Sequence, residues 1–88
     1  MTVPWYVYIV LTERGTYYTG VAVDPDARFE KHAAGTGAKY LRAFRPVRIV
    51  YREKCTGKSA ALRREIAIKR MTRHQKKMLI RRNEDTGP

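Results

Sequence analysis

The chain has 88 residues, a formal charge of +11 from 19 Lys and Arg against 8 Asp and Glu, and one cysteine. That length predicts a single small domain over residues 1–88 with a core from about 5 to 80, and it argues against a linker or second domain. Lone Cys55 excludes an internal disulfide, His32, His74 and Cys55 lack zinc-ligand spacing, and the apolar run from Val3 to Leu11 falls far short of the roughly 20 residues needed to cross a bilayer.

Residues 5 to 12 read as a strand with Trp5, Val7, Ile9 and Leu11 on one wholly apolar face and Tyr6, Tyr8, Val10 and Thr12 on the other. Thr16 to Val23 reads as its partner, joined through a loop "ERG" in which Gly15 takes the left-handed bulge position. An odd loop sets Tyr8 opposite Gly20 and Val10 opposite Tyr18. Tyr8 and Tyr18 then become diagonal neighbours on one face, roughly 7 Å apart.

Asp24 followed by Pro25 is an N-cap and first helical residue, starting a helix that Gly35 ends after about Ala34. Arg28 and His32, four apart, share one side of it. The segment "GTGAKYLRAFRP", residues 35 to 46, carries too much glycine and charge for a core element and reads as a surface loop. Val47 to Glu53 reads as a third strand with Val47, Ile49 and Tyr51 on one face. Ser59 is the expected cap of a helix through about Met71, and Thr72 with Gln75 forms a capping box for another that runs to about Arg82. The tail "NEDTGP" is expected to fray. The expected fold class is α+β, a small three-stranded antiparallel sheet flanked by about three helices.

The excess of positive charge points to a polyanionic partner, with a basic wall formed by residues 63 to 82 if that stretch is helical. A solvated cationic face without a ligand is the plain alternative. A membrane-surface helix is disfavoured, because no large exposed aromatic face accompanies the charge. Glu65 stands among Ala61, Leu62, Ile68 and Lys69 at helical spacing, in the stripe that should face the sheet. A carboxylate there must be neutralised, paired or bound to a cation. An ion pair with Lys69 and a functional carboxylate both satisfy that requirement. Taken singly, Tyr8 and Tyr18 are ordinary strand residues, and Arg28 and His32 ordinary exposed helix residues.

In combination they resemble a known family. "YVY" at 6 to 8 and "YTG" at 18 to 20 resemble the paired signature of the GIY-YIG nuclease domain, and Arg28, His32 and Glu65 fall where that family carries its site. The resemblance spans about Trp5 to Ile80 and is strongest to small stand-alone bacterial members, through "GAKY", "RPV" and "ALRRE". Tyr6 and Val7 replace Gly and Ile of the first motif, and Thr19 replaces Ile of the second. Val21 stands where nucleotide-excision-repair relatives have a lysine, and Lys77 near a helical asparagine of some relatives.

The lone Cys55 fits a reducing cytoplasm. The resemblance implies metal-assisted phosphodiester hydrolysis, with one Mg²⁺ or Mn²⁺ held by Glu65. It assigns the general base to Tyr18, the clamp on the scissile phosphate to Arg28, an orienting role to Tyr8, and phosphate binding or proton transfer to His32. Bringing a phenol from about 10 to about 8 takes roughly 2.7 kcal/mol, which a divalent ion and Arg28 are expected to supply. Gly20 leaves space for the substrate backbone. Nucleic acid, DNA first, is the expected partner, contacted also by Lys39, Tyr40, Arg42, Arg45, Arg63, Arg73 and Lys77, and a targeting protein is compatible with so small a domain. The rival classes are a nucleic-acid-binding module without cleavage and a small basic ribosome-associated protein.

Overall fold

In the computed structural model, which describes residues 3–85, strands β1 (Trp5–Thr12) and β2 (Tyr17–Ala22) form the expected hairpin. Gly15 has φ 79°, and its N–H donates to the Thr12 carbonyl, so the turn needs a residue without a Cβ. Thr12 Oγ1 lies 2.7 Å from Thr16 Oγ1 and pins the hairpin end. The register places Tyr8 opposite Gly20 and Val10 opposite Tyr18, as the odd loop requires.

Asp24 caps helix α1 (Pro25–Ala33) through Oδ1, which accepts from the Ala27 N–H, and Gly35 at φ 81° follows its end. Helix α2 (Lys39–Ala43) and strand β3 (Pro46–Cys55) come next, then α3 (Lys58–Lys69) and α4 (Arg73–Asp85). The sheet order is β2-β1-β3 with both pairings antiparallel. Among the described residues the fold is therefore α+β, with a three-stranded antiparallel sheet and four helices.

Because β1 is central, both of its faces are buried. Val7 and Ile9 pack with Tyr51, Ile68 and Ile80 on the α3–α4 side. Tyr8 and Val10 pack with Ala22 and Leu41 on the other, where Phe29 and Ala38 complete the layer. Val7, Ile9 and Val10 are fully buried, and each contributes about 1.5–3 kcal/mol.

Four expectations are corrected. Residues 39 to 43 form a helix rather than loop, and Leu41, 1 % exposed, is a core residue. Val47, Ile49 and Tyr51 do not share a face, because the β1–β3 register shifts between Ile9 and Val10. Ile9 faces Tyr51 but Val10 faces Ile49, so the residue inserted between them sends Tyr51 to one core and Ile49 to the other. Ser59 does not cap α3; the N-cap is Gly57 without a side-chain bond, and Ser59 Oγ accepts from Arg63 Nη1 at 2.9 Å. Residues 83–85 of the supposed frayed tail continue α4, and 86–88 lie outside the described residues. The capping box is present: Gln75 N–H donates to Thr72 Oγ1 at 3.1 Å, and Thr72 N–H to Gln75 Oε1 at 2.8 Å.

Candidate active site

A cleft of about 400 Å³ is lined by Tyr8, Tyr18, Gly20, Val21, Arg28, His32, Thr36, Gly37, Ala38 and Glu65. All five residues expected to carry chemistry therefore meet, although they come from β1, β2, α1 and α3. Tyr8 and Tyr18 belong to one core layer and α3 packs on the opposite one, so the cleft opens at the free β2 edge, where the two faces of the sheet meet.

Gly20 is what lets the phenols converge. A Cβ there would fall 2.7 Å from Tyr8 Oη and 3.1 Å from Tyr18 Cε2, inside van der Waals contact. Tyr8 is buried against this bare Cα, and its hydroxyl lies 3.0 Å from His32 Nε2. His32, itself 4 % exposed, accepts the Ala38 N–H on Nδ1 at 3.1 Å. Its ring meets the edge of Tyr18 at 5.6 Å between centroids.

Burial raises the pKa of both phenols. Tyr8 is pushed up to about 12 by desolvation, then by Tyr18 and Glu65 against the opposing pull of Arg28. Tyr18 is also raised, by desolvation first and the Glu65 charge second, with Arg28 again opposing. Arg28 alone thus does not bring Tyr18 down toward neutrality; the Glu65 charge must be offset as well. Desolvation, followed by the Arg28 charge, lowers the His32 pKa and favours a neutral imidazole.

Glu65 both lines the cleft and pairs with Lys69. Its side chain is 18 % exposed in the cleft, and Oε2 lies 3.6 Å from Lys69 Nζ, a separation longer than a direct hydrogen bond. Among the described residues no group of three or more His, Cys, Asp or Glu gathers as a metal cage. One carboxylate with phenolic oxygens nearby is a hard, sparse donor set. It fits Mg²⁺ or Mn²⁺, which keep most of their waters and take the remaining ligands from substrate phosphate.

The expected nucleic-acid contacts are distributed differently. Tyr40 does not line the cleft but packs behind one of its residues: its ring stacks on Tyr18 at 5.9 Å and packs on Phe44 at 4.8 Å, and its hydroxyl donates to Thr16 Oγ1. Lys39, Arg42 and Arg45 are exposed on and just after α2, and the latter two border a neighbouring pocket behind His32. Arg63 on α3 and Arg73 and Lys77 on α4 do not line the cleft. The expected basic wall is divided between two helices at the Thr72 cap, and Arg64 within it is spent on Glu53 at 2.9 Å.

Sequence reasoning missed Gly37 and Ala38, the loop residues that hold His32. The signal present was a second glycine in "GTGAK" that no turn requires: Gly15 and Gly35 take positive φ and Gly37 does not.

Comparison with known proteins finds a family and close relatives. A family model described as the GIY-YIG catalytic domain matches residues 4–78. UPF0213 proteins of Staphylococcus aureus strains Mu3 and N315 are each 51% identical over 76 residues, covering 86% of this chain and 93% of theirs. The solution NMR structure of the UPF0213 protein BH0048 from Bacillus halodurans is 40% identical with a TM-score of 0.56, over 88% of this chain and 82% of that one.

Proposed function

Because the chain belongs to the GIY-YIG catalytic domain family, we propose that it is a metal-dependent endonuclease that hydrolyses phosphodiester bonds of nucleic acid, DNA first, without reading a long base sequence. The observation that carries this is the meeting of Tyr8, Tyr18, Arg28, His32 and Glu65 in one cleft over the Gly20 floor. No purely structural need brings two phenols, a guanidinium, an imidazole and a carboxylate together at a sheet edge.

Glu65 would hold Mg²⁺ or Mn²⁺, which would supply Lewis-acid polarisation of the phosphate and would offset the Glu65 charge that, after desolvation, raises Tyr18. Arg28 binds the scissile phosphate and stabilises charge developing on its oxygens. Tyr18, as phenolate, accepts the proton of the attacking water. A new P–O bond forms as the bond to the leaving sugar oxygen breaks, and that oxygen takes a proton from solvent. Tyr8, pushed up to about 12, stays protonated and donates a hydrogen bond rather than competing as base. His32 holds Tyr8 in place through the 3.0 Å contact. With contacts directed mainly at phosphates, cutting is structure-selective or nonspecific.

The test is nicking of supercoiled plasmid with Mg²⁺ or Mn²⁺ by the wild type, Tyr18→Phe and Glu65→Ala. Each variant should lose at least about 100-fold in rate while binding DNA within about twofold of wild type. Equal nicking by Tyr18→Phe removes the base assignment. A wild type that shifts DNA but never cuts it is a binding module instead.

A further inference from the structure

We propose that the Ala38 backbone N–H, brought to the imidazole by the bare Cα of Gly37, is a positioning group that locks His32 as the neutral Nε2–H tautomer and thereby directs the Tyr8 hydroxyl proton into the cleft. The catalytic consequence rests on the nuclease reading; the tautomer itself does not.

The logic is a count of protons. Ala38 N–H points at His32 Nδ1 from 3.1 Å, and a nitrogen that accepts a hydrogen bond carries no proton of its own. A neutral imidazole has one bare and one protonated nitrogen, so the proton is on Nε2. Nε2–H then donates to Tyr8 Oη at 3.0 Å, because a bond in the other sense would leave both ring nitrogens bare. An imidazolium is excluded as well, since it would set Nδ1–H against the Ala38 N–H.

Tyr8 Oη therefore spends a lone pair on His32 and keeps its own proton for another acceptor. The ring is 1 % exposed, and the space around Oη that is not protein is the cleft with Tyr18, Arg28 and Glu65 on its walls. The lock thus divides the two phenols by role: Tyr8 must donate to the water or phosphate bound there, and Tyr18 is left to accept. In the opposite tautomer Tyr8 would turn its proton to His32 and face the cleft as an acceptor only.

Gly37 makes this possible by proximity rather than by turn geometry. A Cβ at this position would lie 2.0 Å from His32 Nδ1 and 2.8 Å from Cε1, where no atom fits. Any side chain would part the ring from the Ala38 N–H.

The experiment is long-range ¹H–¹⁵N NMR of the full chain labelled at its histidine rings, at neutral pH, with a His74→Gln sample to assign the two histidines. The expected wild-type result is a bare Nδ1 and a protonated Nε2 on His32. Replacing the Ala38 amide by an ester, with lactic acid in place of alanine, removes the donor and puts an acceptor oxygen there. This should invert the tautomer and lower kcat about tenfold or more at unchanged KM. Ala38→Gly retains the N–H and should show the wild-type tautomer. A wild type with Nδ1–H or a doubly protonated ring overturns the lock, as does an ester variant that keeps both the wild-type tautomer and rate. A wild type with the expected tautomer and no cleavage refutes the nuclease reading and leaves the lock standing.

Discussion

Burial and the adjacent Arg28 charge hold the His32 pKa below its ordinary value of 6.5, and this has a consequence for stability. The unfolded chain, whose histidine is unperturbed, binds a proton at a pH where the folded chain does not. Stability contributed by the neutral ring is fully present above 6.5 and is lost as pH falls through the folded value. The urea midpoint should therefore drop as pH is lowered from neutrality through 6.5, and the slope should flatten in His32→Gln, which has nothing to titrate. An equal slope in both proteins would mean that the His32 pKa is the same in the folded and unfolded chain. A second window stays separate: Asp26, lowered by hydrogen bonding to Arg52 and by its charge, loses its contribution only as pH falls below 3.8. That pair is exposed, so the effect is small. At this scale the tyrosine pair is legible in the sequence, because a three-residue loop ending in Gly15 fixes which side chains share a face. The hold on His32 is not legible, because it depends on where the chain returns after Gly35.

The helix starts show how far local sequence carries at the scale of an element. Thr72 and Gln75 exchange hydrogen bonds at the head of α4, so Thr72→Ala should cost about 1 kcal/mol in urea denaturation. Ser59 resembles a cap in sequence but sits within the first turn of α3, where its hydroxyl serves only Arg63. Ser59→Ala should therefore change stability by less than about 0.5 kcal/mol, and a loss as large as that of Thr72→Ala would show that it caps after all. Caps that close a bond within three residues are readable from the sequence, as Asp24 and Thr72 were. Helix α2 is not, since it has no side-chain cap and only Leu41 of its five residues is buried. Its existence follows from the empty space over Tyr8 and Val10 that Leu41 fills, which is tertiary information. The β3 faces were misread for a related reason: period-two reading presumes a regular ladder, and the register shift opposite Ile9 and Val10 breaks it.

The charge of +11 was the earliest clue to a polyanionic partner, and the fold decides which cations a strand can meet. Three described acidic groups are already engaged: Asp26 with Arg52, Glu53 with Arg64 and Glu65 with Lys69. Among the other cations, Lys39, Arg42 and Arg45 lie by α2 and Lys76, Lys77, Arg81 and Arg82 along α4, on the two sides of the sheet. The end of α2 and the start of α4 both reach the hairpin tip. There Arg14 sits over Phe44 at 5.4 Å, and Arg73 sits over Tyr17 at 5.1 Å beside Gly15. A phosphate backbone that crosses the open β2 edge at the cleft would run along this tip and touch both sets. Each phosphate neutralised adds about 0.9 to the slope of log affinity against log salt for a duplex, and about 0.7 for a single strand. Lys39→Ala and Lys77→Ala, one from each side, should each reduce that slope by roughly this amount and weaken all sequences alike. The single-turnover nicking rate of bound DNA should not change, since neither residue lines the cleft. A slope that falls for Lys39→Ala but stays at the wild-type value for Lys77→Ala would confine the track to the α2 side and leave the α4 cations without a phosphate.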